Sequence, residues 1–198
     1  MKVELVSYSK DYLENILGAM GMCYGKNCGP KALQKSIEAG HLSLLEHSMA
    51  TFEVECSLGV LGQITRHRHL SFTVKSSRGS EFDEFKIPEA IEKDQNNKEI
   101  YMRFVKDAFH TYKNLTDFGV HLEDAAYVLP KGTITKLRVS GNFRAWREYL
   151  QKRLCKRAMP EHRKIAERIW TELQVAAPEV FFDVLLNCGN CKESSCKF

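Results

Sequence analysis

Between Arg66 and Arg78 the sequence RHRHLSFTVKSSR gathers three arginines, two histidines and a lysine with four hydroxyl side chains and no carboxylate. Guanidinium forks bind phosphate oxygens in pairs and keep their charge at neutral pH. A helix over Gln63–Leu70 would set Gln63, Arg66, His67 and Leu70 on one face, with Arg68 turned away. Ser76, Ser77 and Arg78 add two hydroxyls and a third fork downstream. The functional reading is a pocket for a phosphate and a polar ring. The plain alternative is a solvated basic face, the commoner outcome for an arbitrary Arg/His cluster. The lack of any acidic partner within the segment argues against a surface laced with ion pairs.

Three further groups carry chemistry. In NFRAWREYLQKR, Asn142, Trp146, Tyr149 and Arg153 recur at helical spacing, and Arg144 with Glu148 forms an i, i+4 pair. Trp146 and Tyr149 read most simply as core, whereas Arg153 at the end of that face needs acceptors that a ligand can provide. In GHLSLLEH, two histidines flank a glutamate, but three ligands so close together lack ordinary zinc spacing. One histidine on a ligand and one satisfied in the core is the better expectation. In NCGNCKESSC, Cys188, Cys191 and Cys196 are spaced C-x2-C-x4-C. They would supply three of the four ligands for zinc, or ligands for an iron–sulfur cluster, with the fourth from Cys23, Cys28, a histidine or another subunit. A reduced tail without metal is the competing reading.

The elements that must position these groups alternate between strand and helix patterns. Residues 2–6 and the segment SMATFEVEC read as strands, the latter with Ala50, Phe52, Val54 and Cys56 on one face. Ser9 is expected to cap a first helix, and a second runs from Pro30 to a stop at Gly40. SLGVLGQITRHRH reads as helix and LSFTVKSSR as extended chain or loop. A polar connection leads to a long helix from about Glu99 to Asp117, and a shorter one stops at Pro130. TITKLRVSG reads as a strand, after which Asn142 caps the helix FRAWREYLQKRLCK. PEHRKIAERIWTELQVAA and PEVFFDVLL are the last two helices. Few strands among many helices predict an α+β fold, a single domain with a mixed or antiparallel sheet and several long helices. It is expected to span residues 1–186, with a cysteine-rich tail over 187–198.

With 198 residues, 43% of them hydrophobic, the chain can bury a sizeable core. A net charge of only +4 argues against a general nucleic-acid coat, so the local basic cluster points to a discrete anion. No apolar run approaches a membrane span, and no signal-peptide core is seen. Seven cysteines, an odd number, with Cys23, Cys28, Cys56 and Cys155 scattered through ordinary globular sequence, fit a reducing cytoplasm better than a disulfide framework.

Taken in order along the chain, these segments resemble the flavin-dependent thymidylate synthases. Arg66, His67 and Arg68, seven residues, then Ser76 fit the family signature R-H-R-x7-S. GHLSLLEH is similar to its H-x-[ST]-P-x-E-H loop, with Leu44 at the proline position. EFKIP and YVLP follow in place, and VSGNFRAWREYLQKR resembles the late helix V-N-x-R-S-x-x-N-F-x-x-x-R. The resemblance reaches to about Leu186. It implies a homotetramer of α+β subunits with FAD bound between them. The implied reaction methylates dUMP, with methylenetetrahydrofolate as carbon donor and NADPH as electron source. Residue by residue, it implies flavin contacts at His41, Ser43, Glu46, Arg66, His67, Arg68, Asn142 and Arg144, with Glu148 at a common asparagine position. Gln63, Arg66, Ser76, Ser77 and Arg78 fall on nucleotide and phosphate positions. Arg153 falls on the arginine that reads the uracil ring and favours its ionised form.

Ala126 stands where the family usually carries a base, Gly79 where it has tyrosine, Val74 where many members have glutamate, and Arg157 at a common histidine position. These departures keep open a relative that modifies another pyrimidine nucleotide. A non-catalytic nucleic-acid-binding protein ranks last, because it gives no reason for five matching segments in order. Small-molecule nucleotide and folate partners, without membrane or nucleic acid, are the expectation.

Overall fold

A computed structural model describes residues 2–184 and 196. The chain opens with β1 (Val3–Tyr8), α1 (Tyr12–Tyr24) and α2 (Pro30–Glu38), the last beginning on proline. A positive φ of 84° at Gly40 lets the chain turn out of α2 as predicted. A 3-10 turn, Ser43–His47, leads into β2 (Met49–Ser57). Then come α3 (Leu58–Ile64), β3 (Ser71–Val74), α4 (Glu89–Glu92) and α5 (Gln95–Asp117). α6 (Leu122–Ala125) continues as a 3-10 turn, Ala126–Val128, before β4 (Ile134–Asn142). α7 (Phe143–Arg153), α8 (Pro160–Ala176) and α9 (Pro178–Phe181) follow.

The fold is α+β, with one four-stranded antiparallel sheet in the order β1-β2-β4-β3. β1 lies antiparallel to β2, Val3 opposite Val54 and Tyr8 opposite Ala50, with an irregularity between Leu5 and Ser7. The alternation predicted for β2 holds, since Ala50, Phe52, Val54 and Cys56 are buried while Thr51, Glu53 and Glu55 are half-exposed. On that outer face, cross-strand partners come from β4: Thr51 Oγ1 meets Ser140 Oγ at 2.9 Å, and Glu55 pairs with Lys136 at 3.1 Å.

The chain forms two compact units. The first holds residues 2–54, 67–72 and the chain from Arg138 onward. Its core is built on α7 and α8, where Phe143, Trp146, Tyr149, Leu150, Ile165, Ile169 and Leu173 are completely buried. Trp146 meets the Phe52 ring edge-on at 5.1 Å, and its indole Nε1 donates to Ala50 O at 3.0 Å. α9 is tied down by charge as well as packing. The buried Arg147 donates to Val180 O and to Asp183 Oδ1, the latter at 2.7 Å, and Tyr12 Oη donates to Glu179.

The second unit holds residues 55–66 and 73–137. There α5 buries Val105, Ala108 and Tyr112, and Asp94 caps it by accepting from Asn97 N at 2.8 Å. Gly132 is required by close approach. A Cβ at that position would lie 2.1 Å from Tyr101 Oη and 2.8 Å from Lys86 O.

Several boundaries differ from the sequence reading. Ser9 does not cap α1; its Oγ accepts from Met49 N at 3.0 Å, and the helix starts three residues later. α3 stops at Ile64, so Arg66, His67 and Leu70 do not continue a helical face from Gln63. Turn hydrogen bonds take over, Arg66 N to Gln63 O at 3.3 Å and Leu70 N to His67 O at 3.0 Å. Two glycines and a β-branched threonine at its end weaken helical continuation there. Part of the supposed polar connection is the helix α4, and α5 begins at Gln95 rather than Glu99. α7 ends at Arg153 rather than running on through LCK, which leaves Cys155 beyond the helix. No helix among the described residues is long and apolar enough to cross a membrane.

Candidate functional site

Asn142 ends β4 and starts α7 in one step, its Oδ1 accepting from Ala145 N at 2.8 Å. That cap fixes which residues α7 turns inward. Trp146 and Tyr149 enter the core, and Arg153 arrives at the last turn, half-buried, beside Lys152. Cations at this end of a helix complement its dipole. Arg153 Nε donates to Nε2 of His67 at 2.8 Å. Since Nε2 accepts, the His67 proton resides on Nδ1, and the ring is uncharged.

The surroundings enforce that neutral state. The His67 ring lies edge-on to Tyr149 at 4.9 Å and to the completely buried His162 at 6.4 Å. Burial, then the charges of Arg153 and Lys152, lower the His67 pKa to about 4. Burial, then Arg153, lower His162 to about 3. His67, Tyr149, Arg153 and His162 therefore form one cluster in which arginine is the cation.

A second cluster lies in the same unit. The 3-10 turn Ser43–His47 delivers Glu46, which meets Arg144 Nη1 at 2.7 Å. Glu148, one turn along α7, meets Arg144 Nε at 3.2 Å, the i, i+4 pair expected from sequence. These two bonds push the Arg144 pKa up. Glu46, His69, Asn142, Arg144, Ala145 and Glu148 line a cavity of about 250 Å³. Two carboxylates on one guanidinium leave it short of positive charge, which suits hydroxyl and N–H groups better than phosphate. His41 and Ser43 are exposed just before and within that turn. Arg68 is also exposed.

The remaining sequence candidates, Gln63, Arg66, Ser76, Ser77 and Arg78, belong to the second unit. Ser76 Oγ accepts from Arg78 N at 3.2 Å, folding the SSR element into a turn. The Arg78 guanidinium is engaged with Glu123 of α6. Ala126 follows in the adjoining 3-10 turn and adds no charge. Arg66 is exposed.

Sequence reasoning missed His69, Lys152, His162 and Glu123, and assigned Tyr149 to the core alone. His69 was visible as the fourth residue of RHRH, whereas His162 carries no local signal within PEHRK. The metal reading falls mostly outside the described residues, since Cys188 and Cys191 lie there. Cys196 is half-buried, and the five described cysteines are thiols. Among the described residues no group of three metal-ligating side chains is present.

Comparisons with known proteins agree with one another. The family described as "Thymidylate synthase complementing protein" matches residues 4–179. A flavin-dependent thymidylate synthase of Pyrococcus furiosus is 34% identical over 192 residues, covering 87% of this chain and 79% of that protein. One of Sulfolobus acidocaldarius is 34% identical over 206 residues, covering 95% and 78%. A crystal structure of a UMP/dUMP methylase, PolB from Streptomyces cacaoi bound with 5-Br dUMP, superposes with a TM-score of 0.83. It shares 25% identity and covers 91% of this chain and 93% of its own.

Proposed function

The chain belongs to the flavin-dependent thymidylate synthase family, and from that premise we propose that it converts dUMP to dTMP by FAD-dependent reductive methylation. The observation that carries the reading is the bond from Arg153 Nε to His67. An imidazole held neutral orients the guanidinium without cancelling its charge. One of five N–H donors is used on His67, and the fork is thereby fixed in plane. Such a fork suits a uracil ring, whose carbonyl oxygens flank N3 and gain negative charge as the ring becomes nucleophilic. No nucleophilic cysteine is required of the protein in this scheme.

The donor set fits a flavin dinucleotide. His67 Nδ1–H, the Asn142 amide and the Arg144–Glu46–Glu148 cluster match ring edges and hydroxyls, and the exposed Arg66 and Arg68 match phosphates. His41 and Ser43 extend the polar rim of the 3-10 turn. When bound, FAD supplies hydride chemistry, with methylenetetrahydrofolate as carbon source and NADPH as electron source. The protein's own work is to hold the uracil against Arg153, keep His67 uncharged, and grip the nucleotide phosphate through Gln63, Ser76, Ser77 and Arg78. The assembly proposed is a cytoplasmic homotetramer with FAD between subunits.

A second reading, action on UMP as well as dUMP, is favoured by the likeness to a UMP/dUMP methylase. It is also favoured by Ala126 and Gly79, which stand where the family is basic and aromatic. The test is NADPH oxidation with and without methylenetetrahydrofolate and each nucleotide, with product mass identified. We expect FAD to bind and the nucleotide to gain the mass of one CH₂ group. Absence of flavin binding would remove the proposal. Arg153→Ala should retain flavin and lose about 10²–10³-fold in turnover.

A further inference from the structure

The buried His162 has no part in the reading above, yet it is one of two rings packed around His67. It occupies the first turn of α8, completely buried. Its ring centroid lies 5.7 Å from Tyr149 and 6.4 Å from His67, at 85° to the latter. Tyr149 is 4.9 Å from His67 on α7, one turn before Arg153. His67 itself sits in a non-helical turn after α3, so its own backbone does little to limit ring rotation. Two rings from two helices must therefore set the angle at which Nε2 meets Arg153.

We propose that His162 is a positioning residue: with Tyr149 it wedges the His67 ring so that Nε2 faces Arg153 Nε, and it does so as an uncharged, water-excluding ring. The charge at this position is restricted by its neighbours. A carboxylate in place of His162 would draw on Arg153 and weaken its hold on a nucleotide ring. A small residue would admit water, free the His67 ring and let it protonate, turning an acceptor into a cation beside a cation. The titratable and charged groups facing His67 are Arg153, Lys152 and Tyr149 on α7 and His162 on α8. Only the last has no carbon framework shared with the catalytic helix. Phenylalanine matches the shape and neutrality that the role demands.

The consequence for catalysis rests on the assignment of Arg153 to the uracil ring, but the positioning can be read without any nucleotide. The experiment follows the seven histidines by NMR in the full-length, flavin-loaded protein labelled at the imidazole Cε1. His67→Gln serves to assign the His67 signal. In the wild type His67 and His162 should stay unprotonated from about pH 8 to about pH 5. In His162→Ala the His67 signal should titrate inside that window. kcat/KM should fall about tenfold or more through misplacement of Arg153, with the acid limb of the pH–rate profile moving up. His162→Phe should keep His67 silent and keep kcat/KM within about threefold of wild type.

An alanine variant in which His67 remains silent and kcat/KM is unchanged overturns the proposal. So does a folded phenylalanine variant that loses activity while His67 stays silent, since a specific imidazole function would then be at work. If the alanine variant does not fold, the phenylalanine variant decides alone on the same two readings. Should the wild type fail to methylate dUMP or UMP, the function proposed above falls, while the His67 titration still answers for positioning.

Discussion

Arg153 and His67 are joined by a hydrogen bond although they lie 86 positions apart. Each member was legible in sequence as a candidate: His67 within a basic segment rich in hydroxyls, and Arg153 as a guanidinium ending a helical face that otherwise reads as core. Their bond was not legible, because no periodicity links a turn after α3 to the end of α7. His162 was invisible for the same reason, and a lone histidine in PEHRK has no local signature. The cluster has a consequence for stability. An exposed histidine protonates near pH 6.5, whereas in the fold His67 waits until about 4 and His162 until about 3. The unfolded chain binds protons first, so stabilisation is complete above about pH 6.5 and is lost progressively as pH falls toward about 4 for His67 and about 3 for His162. Thermal melts from about pH 7.5 to about pH 4.5 should show a falling Tm, with a shallower fall for His162→Phe. Equal slopes for the two proteins would remove His162 from this account.

At the scale of elements, type was more legible than extent. β2 announced itself through strict alternation, and α7 through Asn142 followed by helical spacing. The limits of helices were set by features that sequence periodicity does not record. Ser9 had the right chemistry for a cap but was taken by the backbone of Met49 across from it. α5 started four residues early because Asp94, in a stretch read as loop, caps it. The stop of α3 at Ile64 mattered most, since it released His67 from a helix and let it turn toward α7 and α8. α7 carries the site on a packed base: Trp146 is completely buried and bonded to β2 through Ala50 O. Trp146→Ala should cost about 3–5 kcal/mol, read by chemical denaturation. A loss below about 1 kcal/mol would mean that α7 is not anchored there.

For the whole molecule, the candidate residues divide between the two compact units, with the Arg153 cluster and the Arg144 cluster in one and the SSR turn in the other. The proposed assembly predicts a native mass of four 22.7 kDa chains and flavin retained at that mass. Native mass spectrometry should show flavin released as the tetramer dissociates, and a monomer holding full flavin would contradict an interface site. Composition, strand alternation and the ordered motifs determined by themselves the α+β class, the family resemblance and most of the candidate residues. Those properties depend on residue type and short spacing, which a sequence states directly. Tertiary structure alone decided that Glu46 joins the Arg144–Glu148 pair and that Arg78 is engaged by Glu123. It also decided that His67 is a neutral acceptor for Arg153. Each of these depends on which side chains meet across long separations and on how much water is left around them, and burial and contact exist only once the chain has folded.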